Sequence, residues 1–290
     1  MTLPVTETLP EGAPIDALPS REAVPAMVDA QLAAVRAVEV VKADIVRASE
    51  AMAEGFRAGG SLHYVAAGSS GLMALADASE LPGTFGIEPK SIKIHMAGGV
   101  PVDGHMPGDT EDDTKAVDAV GSQIAGGDVV IVLTVSGSTP YAVEIARKAS
   151  ALGATVIGIA NNPGAALFAH ADIQVCIATP PEVVAGSTRL GAGTAQKVAL
   201  NLMSTLMGIA LGHVYQGEMV NVVADNAKLV ARAARIVADV AGVPSAQAEA
   251  ALTATGGAVK PAILVARGMD PDRARAALEE TGGHLGPLME

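Results

Sequence analysis

The run Asp128–Val135 (DVVIVLTV) constrains this chain more than any other stretch. It is too short for a typical helix, is dominated by β-branched residues and shows no polar alternation. It therefore predicts a strand buried on both faces, as in a parallel sheet covered by helices on each side. It empties directly into Ser136-Gly137-Ser138-Thr139-Pro140, and a helical pattern follows over Tyr141–Leu152. The same succession occurs earlier, where Leu62–Ala67 leads into the turn Gly68-Ser69-Ser70-Gly71 and then into an Ala/Leu/Met-rich helix carrying Glu80 near its end. Ile92–Met96, Thr155–Ala160 and Ile173–Ile177 supply further strands. Strands alternating with helices predict an α/β fold with a doubly wound, mostly parallel sheet, its connections right-handed and its ligands at the carboxyl ends of the strands.

Residues 1–20 are proline-rich and without periodicity, which predicts an extended arm of the kind that crosses onto a partner subunit. From Arg21 to Arg57, apolar residues recur at three and four, predicting one or two long amphipathic helices that end at Gly59-Gly60. A further helix is expected over about 222–241. The tail from Pro244 holds three short helical patterns punctuated by Gly256-Gly257, Gly268 and Gly282-Gly283, which read as a small C-terminal helical appendage. No internal repeat is evident. The expected organisation is therefore arm and long helices over 1–58, the ligand-binding α/β domain over 59–242 and a helical subdomain over 243–290.

Only 2% of the residues are aromatic, Trp is absent and the formal charge is -12. Such a surface offers little for stacking bases or neutralising phosphate backbones, so nucleic acid and anionic membranes are excluded as expected partners. The N-terminus has acids and prolines where a secretory signal would need basic and then apolar residues, and a cytoplasmic location is expected. Cys176 lies in an apolar run and reads as a strand residue. The six histidines are scattered, so no metal site is expected.

Chemistry is expected where small hydroxyl residues separate strands from helices. Free N–H groups and the positive helix end make such turns anion cradles, to which Ser69, Ser70, Ser136, Ser138 and Thr139 add hydroxyl donors. A third hydroxyl-rich loop, Pro180 to about Gly193, carries Glu182, Ser187 and Arg189 and leads to a helix bearing Lys197. The acids Glu111-Asp112-Asp113 are placed at the head of a predicted helix.

These segments resemble the N-acetylmuramic acid 6-phosphate etherases, lyases built on the sugar isomerase (SIS) fold. The resemblance is carried by AGSSG and DASELPGTFG, then GDTEDD, SGSTPY, EVVAGSTRLGAGTAQK and MVNVVADNAKL, and finally SAQAEAAL, in the family's order from about residue 60 to the end. It implies two catalytic glutamates, Glu80 from DASE as the acid and Glu111 from GDTEDD as the base, acting on a ring-opened sugar phosphate. It implies a homodimer, and no metal or organic cofactor, since the substrate's aldehyde stabilises the carbanion. Where the family carries basic residues, this chain has Leu72, Ser138 and Gly191. A ligand's second anionic group therefore meets no cation at the matched positions. An aldose–ketose isomerase, with Glu182 or Glu111 as base, and a non-catalytic sugar-phosphate sensor are the alternatives on the same fold.

Overall fold

The computed structural model describes residues 3–106, 108–113 and 115–289, so Pro107 of the Gly/Pro-rich segment lies outside it. The chain divides into two compact units, Met1–Ala78 with Lys90–Ser204 and Ser79–Pro89 with Thr205–Glu290.

The first unit opens with α1 (Ser20–Ala37) and α2 (Lys42–Arg57), joined by a 3₁₀ turn, Val38–Val41. Its sheet comprises β1 (Leu62–Ala66), β2 (Ile92–Met96), β3 (Val129–Thr134), β4 (Thr155–Ala160) and β5 (Ile173–Cys176). All pairings are parallel and the spatial order is β2-β1-β3-β4-β5. Every residue of β3 is buried, as its unbroken apolar run requires. The two parities of that strand meet different helices, because successive side chains point to opposite faces. Val130 and Val132 join a cluster with Ile145 and Ala146 of α5 (Pro140–Ala151) and with Val117 and Val120 of α4 (Val117–Gly121). Gly55 of α2 lies so close to Val129 that an added β-carbon would come within 2.5 Å of its side chain. Both faces of the sheet are thus covered by helices.

On the α2 face, α3 (Gly68–Phe85) and α6 (Gly191–Ala210) are tied to β1 through one buried carboxylate. Asp77 accepts hydrogen bonds from the Tyr64 hydroxyl (3.0 Å), Asn201 Nδ2 (2.8 Å) and the Ser204 hydroxyl (2.9 Å). Burial pushes this carboxyl above the ordinary aspartate value although all three hydrogen bonds pull it down.

The second unit contains α7 (Ala227–Ala241), α8 (Ser245–Ala254), α9 (Val259–Ala266) and α10 (Pro271–Glu280). The expected helix over 222–241 begins later because Asn226 caps it, its side chain accepting from Leu229 N–H. The apolar face of α7 packs with α8 and α9 around Ile236, Val237 and Ile263, so α7 falls with the C-terminal helices rather than inside a domain ending at 242. Likewise, residues 1–58 belong with the sheet rather than forming a separate body. The unit also contains a repeat: ALTATGGAVKP (251–261) and ALEETGGHLGP (277–287) align at matching turns. In both, the Thr hydroxyl bonds carbonyls across the turn, Thr255 to Ala258 O and Thr281 to His284 O. The second Gly N–H closes back on the helix, Gly257 to Leu252 O and Gly283 to Leu278 O.

Candidate active site

The spatial order of the sheet places β1 at the position from which the chain winds outward in both directions, and open α/β sheets bind ligands beyond the strand ends at such a point. A cavity of about 130 Å³ opens there, in the first unit, at the C-terminal ends of β1 and β3. Its lining includes Ser69, Ser70, Thr134, Ser136, Thr139 and Thr188, with two carboxylates, Glu7 and Glu111.

Each group is held for a local reason. The Gly-Ser-Ser-Gly segment is the first turn of α3 rather than a separate turn before it, so Ser69 and Ser70 sit where helix N–H groups have no intrahelical acceptor. In the second loop, Thr134 and Thr139 share a hydroxyl–hydroxyl bond of 2.7 Å, and Gly137 N–H donates to Thr134 Oγ1 at 3.3 Å. Ser138 donates to Ser136 Oγ through its N–H (3.2 Å) and its hydroxyl (3.1 Å). Ser138 is exposed and outside the lining, and it orients Ser136, which is inside. Glu111 lies on a 3₁₀ turn, Gly108–Asp112, instead of heading an α-helix. It is half-buried, and desolvation, with the neighbouring charge of Asp112, raises its carboxyl above the ordinary glutamate value.

The third hydroxyl-rich loop is built differently. Glu182 is buried and accepts from Gly191 N–H (2.9 Å) and Ala192 N–H (2.8 Å), one bond per carboxylate oxygen. The N-terminus of α6 is therefore capped by an anion of the protein itself. Ser187 is half-buried beside that loop, while its neighbour Thr188 lines the cavity. Arg189 is exposed and Lys197 donates to Asn201, so neither contributes to the lining. Gly191 is buried, an added β-carbon standing 3.1 Å from Ala34 Cβ. Among the described residues the lining contains no Lys, Arg or His. Glu80 is exposed on α3, has no partner among the described residues and is counted with the second unit, not with the side chains around the cavity.

Two lining residues, Glu7 and Thr134, carry no local signal. Glu7 arrives from the arm, which folds back on its own chain. Val5 N–H donates to Asn162 Oδ1 (2.8 Å), Asn162 Nδ2 donates to Thr6 Oγ1 (3.2 Å) and Val135 O (2.9 Å), and Gly186 N–H donates to Thr6 O (3.0 Å). No periodicity could join Thr6 to Asn162; Thr134 is the last residue of a strand whose exact end the sequence leaves open.

A family model for the SIS domain matches residues 28–161. The N-acetylmuramic acid 6-phosphate etherase of Deinococcus radiodurans is 41% identical over 278 residues, spanning 95% of this chain and 91% of that protein. This chain belongs to the N-acetylmuramic acid 6-phosphate etherase family. The etherase of Streptomyces avermitilis is 40% identical over 287 residues, spanning 98% of this chain and 92% of its own length. At the level of fold, a provisionally assigned phosphosugar isomerase from Bacteroides fragilis aligns with a TM-score of 0.54 at 19% identity, covering 69% of this chain and 95% of that one. As a member of the etherase family, the chain presents an SIS-type parallel sheet whose cradles are built from hydroxyls and helix ends. Among the described residues, no helix is long and apolar enough to cross a membrane.

Proposed function

We propose that the protein cleaves the lactyl ether of N-acetylmuramic acid 6-phosphate, or of a close 3-substituted sugar phosphate, giving N-acetylglucosamine 6-phosphate and D-lactate. The observation that carries this reading is Glu111: a half-buried carboxylate with raised proton affinity, lining a hydroxyl-rich cavity in a chain of this family. A base needs a proton affinity nearer the working pH than a free carboxylate has, and burial moves it in that direction.

In the ring-opened substrate, the phosphate takes hydrogen bonds from Ser69, Ser70, Ser136 and Thr139 and from the α3 helix end. Glu111 removes the proton on carbon 2, and the aldehyde at carbon 1 delocalises the resulting charge. The carbon 3–oxygen bond then breaks, its electron pair leaves with lactate, and Glu80 supplies the proton to that oxygen. Water adds to carbon 3 of the unsaturated aldehyde and a proton returns to carbon 2. As written, the sequence consumes one water and needs no redox partner, which fits a cytoplasmic role in recycling cell-wall sugars. An isomerase that uses Glu182 as its base fits less well, because both oxygens of that carboxylate cap α6.

The active form is a homodimer. Val24, Val28 and Leu32 recur every fourth residue on α1 and are 59%, 51% and 48% exposed, an apolar row that a second copy would cover. The experiment that tests the function is incubation with candidate sugar phosphates in deuterated water. Lactate release with deuterium at carbon 2 is expected; isomerised sugar without lactate would overturn the lyase assignment.

A further inference from the structure

The arm delivers one acid to the cavity by a construction of its own. Thr6 is 1% exposed, and Asn162, itself buried, holds its hydroxyl and the N–H of Val5 before it. Gly186 takes a left-handed backbone (φ +73°), and an added β-carbon there would stand 2.7 Å from Glu7 Oε2. Any other residue at 186 would strain that backbone and push aside the tip of Glu7, which lies against this loop. Although a buried anchor fixes its backbone, the Glu7 carboxylate has no hydrogen-bond or ion-pair partner among the described residues, and it lines the same cavity as Glu111. Glu7 is itself exposed, so its carboxylate is free to meet an incoming ligand.

We propose that Glu7 is a substrate-contacting residue that sets which phosphosugar the site accepts. Its carboxylate takes hydrogen bonds from neutral donors of the sugar, hydroxyl or amide N–H, and its charge, added to that of Glu111, weakens without preventing the binding of the lactyl ether, whose carboxylate is a second anion beyond the phosphate. This inference rests on the sugar-phosphate reading of the cavity. The hydroxyl groups around it supply donors for the phosphate, and Glu7 supplies the strong acceptor that the opposite end of a sugar requires. Charge-assisted hydrogen bonds are roughly twice as strong as neutral ones, and an exposed like charge beside the site still repels an anion, less strongly as salt rises.

The test is a calorimetric titration of N-acetylglucosamine 6-phosphate and of its 3-O-lactyl ether against the full-length protein and Glu7→Gln. Glu7→Gln preserves shape and removes charge. It should weaken the neutral-armed ligand by about tenfold or more while weakening the lactyl ether less, or tightening it, so that the ratio of the two affinities moves by about tenfold. The melting temperature should not change, since Glu7 packs against nothing that its charge supports. Asn162→Ala, which releases the arm, should move the ratio in the same direction. Equal affinities in wild type and Glu7→Gln, or an equal loss for both ligands, would overturn the role of Glu7 and leave the sugar-phosphate reading standing. If the unaltered protein bound neither ligand, that reading would fail and this one with it.

Discussion

An added β-carbon on Gly68 would lie 2.5 Å from Oε1 of Glu111. The carboxylate therefore rests directly on the first turn of α3, where the positive helix end favours its charged form while burial favours its neutral one. Burial and the neighbouring charge of Asp112 raise its proton affinity. Gly68 also has φ +54°, so Gly68→Ala combines a left-handed strain with a collision. It should lower kcat/KM by about a hundredfold through misplacement of the base, with a much smaller loss of stability. Steady-state kinetics beside thermal melts will decide; a variant with full activity would remove Glu111 from the chemistry.

The proton affinity of Glu111 makes a second prediction, about pH. A base works only when deprotonated, so kcat/KM should rise with pH through a pKa above the free glutamate value of 4.5. Asp112 contributes part of that elevation, and Asp112→Asn should move the acidic limb of the profile to lower pH without abolishing activity. An unmoved limb would mean that another group titrates.

Glu80 and Glu111 give a third. Glu80→Gln should block departure of lactate while exchange at carbon 2 continues, whereas Glu111→Gln should stop both. Glu80 is exposed and has no partner among the described residues; we propose that the homodimer has its sites near the subunit boundary. If one subunit's Glu80 serves the other's Glu111, mixing the two inactive variants restores roughly a quarter of the activity, because half of the randomly paired dimers then hold one intact site. Complete inactivity of the mixture would place both acids of a site in one chain.

The sheet was legible because parallel strands buried on both faces leave unbroken apolar runs, and β3 is such a run. The cradles were legible because a hydroxyl-rich turn between strand and helix is a local pattern. What was not legible depended on distance in sequence. Thr6 meets Asn162 across more than half of the chain, so nothing nearby marks Glu7 as a lining residue. From sequence alone Glu182 reads as a ligand group, because its bonds from Gly191 and Ala192 exist only once the loop closes on α6. The acids at 111–113 suit a first helical turn and a 3₁₀ turn alike, and Glu111 and Asp112 lie on a 3₁₀ turn. The ALxxTGG repeat is faint in the sequence because only five of its seven positions match between the copies, and its meaning lies in backbone bonds.

A last prediction concerns acid stability. Three buried polar residues link β2, β1 and the approach to β3: His95 Nε2 stands 2.9 Å from His63 Nδ1, and His63 Nε2 stands 3.2 Å from Asp128 Oδ2. Asp128 also accepts from Ser61 N–H and Ala125 N–H, so its oxygens act as acceptors and His63 donates through Nε2. With both rings neutral, His63 Nδ1 accepts and His95 Nε2–H donates. Burial, the nearby His63 and Lys93 lower His95 from 6.5 to about 4, and burial lowers His63 as well. A histidine whose folded pKa is depressed binds a proton more readily when unfolded, so its contribution is complete above 6.5 and is lost as pH falls from 6.5 towards 4. For His95 alone that amounts to about 2 kcal/mol at pH 5. Asp77 has the opposite sign, since its raised pKa adds stability as pH falls through it. His95→Gln keeps an N–H donor for His63 and does not titrate. It should be less stable than wild type at pH 7 and lose less between pH 7 and pH 5, as read from urea midpoints. Parallel losses in the two proteins would assign the acid sensitivity elsewhere, His213 being the next group whose burial lowers it to about 4.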